Sequence, residues 1–416
     1  MLHNPFSPIT TLILELTRSL DNLTLMEPWL GLLPSRIGYS ETIDRAATAL
    51  IHATHYIYRP DRANRVMCHS SYQKALESLR HTLSKTSFAP PAKITSAASA
   101  NMDDVLLTIA LLACLECASE PGSLAMYNHI MGVNSILTTG PLFTRPTEAA
   151  VAVLYSHWMV AFQIPVAFGH ASPFDTPAWL ELEPMGSLMQ GGDVARLRKV
   201  SYQLFIRLPH LIAQVRKLRS DGVAAAQSDE QAAWTLAEEL RQLDGREMET
   251  SLLHRVQVKK TADAADARII PYHLQFSGLS IFHPLVYYWQ TRIVLNHIVL
   301  VINDMCPNAE PAISPDALKA ENIRLATNLI MAWPYAFSAG RSGAWSMIIG
   351  WAAVWSTFRN ETEFRGRPVT ELHAWILQQS SWFYQYAVKD PKLAMDEAAD
   401  VLLGGPLRGL LVDVFK

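Results

Sequence analysis

Three blocks decide the fold: SYQKALESLRHTLSK (71–85), DDVLLTIALLACLE (103–116) and YNHIMGVNSIL (127–137). In the first, Tyr72, Ala75, Leu76, Leu79 and Leu83 recur at three- and four-residue steps, which makes one apolar stripe along a helix. In the second, Val105 to Leu115 is apolar all round, as in a central helix packed on several sides. Asp103 and Asp104 stand just before it, where a cap and a favourable dipole charge belong. In the third, Gly132 lets a neighbouring helix come close and His129 can bond a nearby carbonyl, so both read first as structural.

The same periodicity extends through nearly every other segment, while strand-like alternation and Asn-Gly hairpin turns are absent. The expectation is an all-α fold of roughly twelve to fourteen helices. They should form a compact array of antiparallel helical hairpins closed around the Val105 to Leu115 helix. Breaks fall at 89–101, 169–192, 219–230 and 303–315. The second, GHASPFDTPAWLELEPMGSLMQGG, is long enough for a functional lid or a covering strap. None has the length or low complexity of a linker, so 1–416 reads as a single all-helical domain.

Of 416 residues, 50% are hydrophobic and 18% charged, enough to bury a large core. A formal charge of -3 gives no global attraction to phosphate backbones. Cysteines at 68, 114, 117 and 306 suit no disulfide framework, and the start, MLHNPFSPITTLILELTR, lacks the basic lead of a signal peptide. The longest apolar runs, Val105 to Leu115 and Gly343 to Phe358, fall short of the roughly 18 residues of a membrane span and read as buried helices.

Tyr72, Leu76, Leu79, Leu83, Asp104, Leu112, Glu116, His129 and Gly132 follow one another in an order that resembles the regulatory region of fungal-specific transcription factors. Weaker echoes lie in FSGLSIFHPLVYYWQTRIVLNHIVLVI (276–302), AENIRLATNLI (320–330) and GAWSMIIGWAAVWSTF (343–358). Members of that family usually carry a binuclear zinc cluster that needs six cysteines. This chain has four, none near its start, and no residue maps onto the cluster. Within the family it is most similar to secondary-metabolite regulators that lack the cluster, the trichothecene-pathway type among them. The resemblance implies pathway-specific control of transcription in a fungal nucleus, with no cofactor. The mechanism it implies is contact with other transcription regulators or the transcription machinery, with a homodimer or an indirect or weak DNA contact as further options.

Two groups of residues are candidates for contact. Asp193 to Arg219 forms an amphipathic helix whose polar side carries Arg196, Arg198, Lys199, Arg207, Arg216 and Lys217. Arg198, Lys199, Arg216 and Lys217 are the candidates for phosphate or an acidic partner, against a solvated face balanced by Glu238 and Glu239. Trp333, Tyr335, Trp345, Trp351 and Trp355 open an aromatic-rich stretch that continues through Trp375, Trp382, Phe383, Tyr384 and Tyr386. Such rings can line a pocket for a small apolar metabolite, or simply pack helices.

Catalytic and metal-binding readings find less support. Cys114 and Cys117 lie inside one helical run with no second pair, and His52 and His55 have no third ligand at a recognisable spacing. Asp103-Asp104 begins like the aspartate-rich motif of a terpene cyclase but lacks its further carboxylate. No G-x-S-x-G elbow, P-loop or G-x-G-x-x-G occurs. A regulator body recruited as a biosynthetic enzyme with an aromatic pocket, and a small-molecule-sensing partner, remain the alternatives.

Overall fold

The computed structural model describes residues 8–22, 28–85, 96–119, 124–139, 141–182, 192–222, 227–306, 313–384 and 390–406. The chain is all-α. It falls into two compact units, Met1–Val160 with Thr176–Gly186, and Ala161–Asp175 with Ser187–Lys416.

The first unit begins with α1 (Pro8–Asn22), a 3₁₀ turn (Pro28–Leu32), α2 (Glu41–Tyr58), α3 (Arg62–Lys85), α4 (Ser96–Ser119) and α5 (Leu124–Thr138). Short helices follow: α6 (Pro141–Thr144), α7 (Glu148–Ser156), α8 (Trp158–Ala161), which ends at the unit boundary, and, after α9 (Gln163–Phe168), α10 (Pro177–Leu180). α2 and α3 form an antiparallel hairpin. Thr42, near the start of α2, bonds Thr82, near the end of α3 (2.8 Å). Every residue from Val105 to Leu115 is buried, so α4 is the central helix of this unit. It starts at Ser96, inside the stretch where the sequence suggests a break. Within the second predicted break, Trp179 is fully buried in α10 and its indole N–H donates to the Phe143 carbonyl (3.1 Å).

The second unit contains α9, α11 (Asp193–Asp221), α12 (Gln227–Gln242), α13 (Arg246–Leu253), α14 (Ala264–Ile269), α15 (Leu279–Met305), α16 (Pro315–Ser338), α17 (Gly340–Trp345), α18 (Ile348–Phe358), α19 (Val369–Tyr384) and α20 (Pro391–Leu402). It closes around α15, whose residues Ile281 to Asn296 are all buried. By length and composition alone α15 could cross a membrane, yet most of it is packed inside the protein. Its hairpin with α16 is antiparallel, with Asn296 facing Asn322 and Phe282 facing Tyr335. By contrast α18 and α20 run parallel, since Trp355 bonds Asp396 and Arg359 bonds Asp400, with α19 returning the chain between them. The predicted 343–358 helix is interrupted at Ser346 and Met347. Pro209 does not break α11.

Two small antiparallel sheets have no counterpart in the sequence reading. β1 (Gln257–Lys260) pairs with β2 (Tyr272–Gln275), and β3 (Glu363–Phe364) with β4 (Arg367–Pro368). The turn between β3 and β4 is Arg365-Gly366, both at positive φ (53° and 72°), the backbone that tight hairpins demand and Asn-Gly usually supplies. An arginine in that position hides the signal.

Candidate functional site

In the first unit, three residues of the family-like pattern meet where α3, α4 and α5 converge. The Tyr72 hydroxyl and His129 Nε2 share a hydrogen bond of 3.0 Å with the rings edge to face, and Glu116 lies beside the phenol. Burial, then the Glu116 carboxylate, push the Tyr72 phenol well above its ordinary range. Burial pushes His129 down to about 4. Both shifts favour the uncharged form near neutral pH, and the shared hydrogen bond ties α3 to α5. A Cβ at Gly132 would stand 3.4 Å from Ile109 Cγ2, ordinary van der Waals contact, so the α4–α5 crossing tolerates glycine without requiring it.

Asp103 and Asp104 are held by one arginine. Arg36 reaches Asp104 at 2.7 Å and Asp103 at 3.5 Å, and the Thr147 hydroxyl donates to Asp103 at 2.6 Å. The aspartates therefore tie the 3₁₀ region and α7 to α4. Among the described residues no group of three or more His, Cys, Asp or Glu is placed to hold a metal ion.

In the second unit, α11 uses much of its positive charge internally. Arg196 pairs with Asp193, Arg207 with Glu239 (2.6 Å) and Asp175 (3.6 Å), and Lys217 with Asp229 (2.7 Å). Arg216 is half-buried and donates to the carbonyls of Gly405 (2.9 Å), Val401 (3.3 Å) and Val166 (3.4 Å), which caps the C-terminal end of α20. Arg198 and Lys199 are half-buried on the same helix. Of the four bases singled out in the sequence, Arg216 and Lys217 thus have partners inside their own unit.

The aromatic residues do not converge on one point. Trp333, Trp351 and Trp375 meet edge to face in sequence, with centroids 4.7 and 5.8 Å apart. Trp355 packs on His373, and Tyr335 packs on Phe276 and Phe282. Trp345 is half-buried. The indole N–H groups of Trp333, Trp355 and Trp375 donate to Gln379, Asp396 and Asp266 at 2.8–2.9 Å, as buried indoles in a packed core do. The side chains of Trp382, Phe383 and Tyr384, and Tyr386 itself, lie outside the described residues.

Polar groups buried along α15 are the feature that sequence reasoning missed. Glu249 is almost wholly buried, where it accepts from both Arg324 nitrogens (2.8 and 2.9 Å) and from the Trp289 indole (2.7 Å). Gln290 is fully buried at the junction of α15, α16 and α18. Neither of its amide atoms finds a partner among the described residues, nor does the Trp351 indole N–H. Gly350 makes room for that amide, since a Cβ there would lie 3.3 Å from Gln290 Oε1. A buried amide without partners costs on the order of 1–3 kcal/mol. Gln290→Met, nearly the same shape, should therefore raise stability by about 1–2 kcal/mol in urea titration. Unchanged or lower stability would mean that the amide is satisfied in solution.

The chain matches no protein-family model, no curated protein and no solved structure.

Proposed function

We propose that this chain is a pathway-specific regulator of transcription for a fungal secondary-metabolite gene cluster, the trichothecene type among the candidates, that works in the nucleus by presenting helical surfaces to other proteins. The observation that supports this reading is the meeting of Tyr72, Glu116 and His129, residues of the family-like pattern, at one helix junction where the phenol and the imidazole are neutral and hydrogen-bonded to each other. A pattern used to interlock helices belongs to a scaffold whose work is done on its outside. Deleting the gene and profiling neighbouring transcripts tests it. Lost cluster transcripts are expected, together with nuclear fluorescence of a tagged chain. Normal transcripts with an accumulated pathway intermediate would instead establish catalysis.

A second reading, a small-molecule sensor, draws on Gln290 and Trp351, whose buried polar atoms offer two donors and an acceptor at one junction. Tryptophan fluorescence that ignores every pathway intermediate would end it.

A further inference from the structure

We infer that the outer face of α3, together with the tip of the α2–α3 hairpin, is a docking surface for an acidic protein segment that carries apolar side chains. At 100° per residue, Arg62, Val66, His69, Gln73, Glu77 and Arg80 fall on one side of the helix, with Ala63, Met67, Ser70, Lys74, His81 and Lys85 beside them. Every one of these is exposed, so one continuous solvent face extends for roughly 35 Å along α3.

The charge on this helix is one-sided. Arg62, Arg65, Lys74, Arg80 and Lys85 stand against Glu77 alone. Among the described residues none of the five takes part in an ion pair, in contrast to Arg196, Arg207 and Lys217 on α11. The nearest acid at the hairpin tip, Asp61, accepts from the Asn64 backbone N–H (2.8 Å) and its side-chain amide (3.0 Å). The positive end of the α3 dipole lies at the same tip. A chain with a net charge of -3 thus concentrates positive charge on one helix.

The tip is also apolar. Val66 is 60% exposed, Met67 42%, Ile57 37% and Tyr58 57%. Four exposed large apolar side chains at the ends of one hairpin mark a contact site more than scattered ones do. Duplex DNA would satisfy the bases and leave these side chains in water, since phosphate contacts take no apolar partner. A membrane-surface helix needs an apolar face along its length, whereas here it is confined to one end. An acidic segment with apolar side chains matches both parts: its carboxylates meet Arg62 and Arg65, and its apolar residues meet Val66 and Met67. The inference takes from the proposed function only that the chain works through a protein partner.

The test is a titration of the full chain against a labelled synthetic helix with Asp and Glu on one face and Leu and Phe on the other, read by fluorescence anisotropy. Saturable, salt-sensitive binding is expected. It should weaken about tenfold in Val66→Ser/Met67→Ser and again in Arg62→Glu/Arg65→Glu. Lys319→Glu, an exposed change elsewhere, should leave it unaltered, and melting curves of all variants should match the parent. The surface is overturned by absent binding or by affinities indifferent to both α3 variants. It is equally overturned if random-sequence duplex DNA or anionic phosphatidylserine vesicles bind with the same sensitivity to those variants. Failed peptide binding with transcript control intact removes this surface and leaves the regulatory reading standing; the reverse result removes only the regulatory reading.

Discussion

Acidification from pH 7 to pH 5 is expected to cost this protein several kcal/mol of stability. Four histidines are held as neutral rings, His283 buried and the others half-buried: desolvation pushes His129, His157 and His297 down to about 4 and His283 down to about 3. Unfolded, each returns to about 6.5. A group whose folded pKa is depressed stabilises fully above its unfolded pKa, and that contribution is lost as pH falls through the folded value. The window is therefore pH 6.5 to about 4, and each ring contributes a loss of about 2 kcal/mol by pH 5. Asp103, which burial raises above the usual carboxylate range, works in the opposite direction. The Arg324 guanidinium holds Glu321 below that range, which adds to the loss only at still lower pH. Thermal melts at pH 7.4, 6.0 and 5.0 should show a steep fall in midpoint. His283 is stacked on Tyr287, and its Nε2 is without a partner among the described residues. His283→Phe should therefore reduce the pH slope by close to one proton. A pH-independent midpoint would show that these rings are hydrated in solution.

Arg324→Met is expected to be the most damaging single change in the second unit, at about 3–5 kcal/mol. It would leave the Glu249 carboxylate buried on α13 with only the Trp289 N–H as its remaining side-chain partner among the described residues. The cost arises from an uncompensated buried charge, not from the bond as such. Glu249→Gln combined with Arg324→Met should accordingly cost less than Arg324→Met alone, since no charge is then stranded. Urea midpoints of the parent, the single variants and the pair complete the cycle. A double variant as unstable as the sum of the singles would place the cost in packing instead.

The helices were legible because their signal is local. The apolar run 105–115 reports burial directly and is buried throughout, whereas of the predicted stripe in 71–85 only Ala75 and Leu79 are buried, beside Ser71 and Ser78, with Tyr72, Leu76 and Leu83 half-buried. The Arg365-Gly366 hairpin was not legible, because its strands are two residues long and its first turn residue is an unusual one for positive φ. The helical wheel gave the sidedness of α11 but could not show that Arg216 would reach carbonyls of residues 401 and 405, about 190 positions away. The same limit applied to α3. Its bases were visible as residues, but that none of them has an ion-pair partner among the described residues is a tertiary fact. Aromatic residues were concentrated in sequence from Trp333 onward, yet Tyr335 on α16 and Trp355 on α18 face different neighbours, because they sit on different helices.

The path of the chain through its two units has a consequence for synthesis. Trp179 and its neighbours belong to the first unit, although the chain has by then already entered the second at Ala161. A ribosome that has released residue 160 has not yet delivered the indole that donates to the Phe143 carbonyl, so the amino-terminal half must wait for residues that follow an excursion into its neighbour. A gene fragment ending at codon 160 would encode a body with an open seam, and a fragment able to close it must include α10 through Leu180.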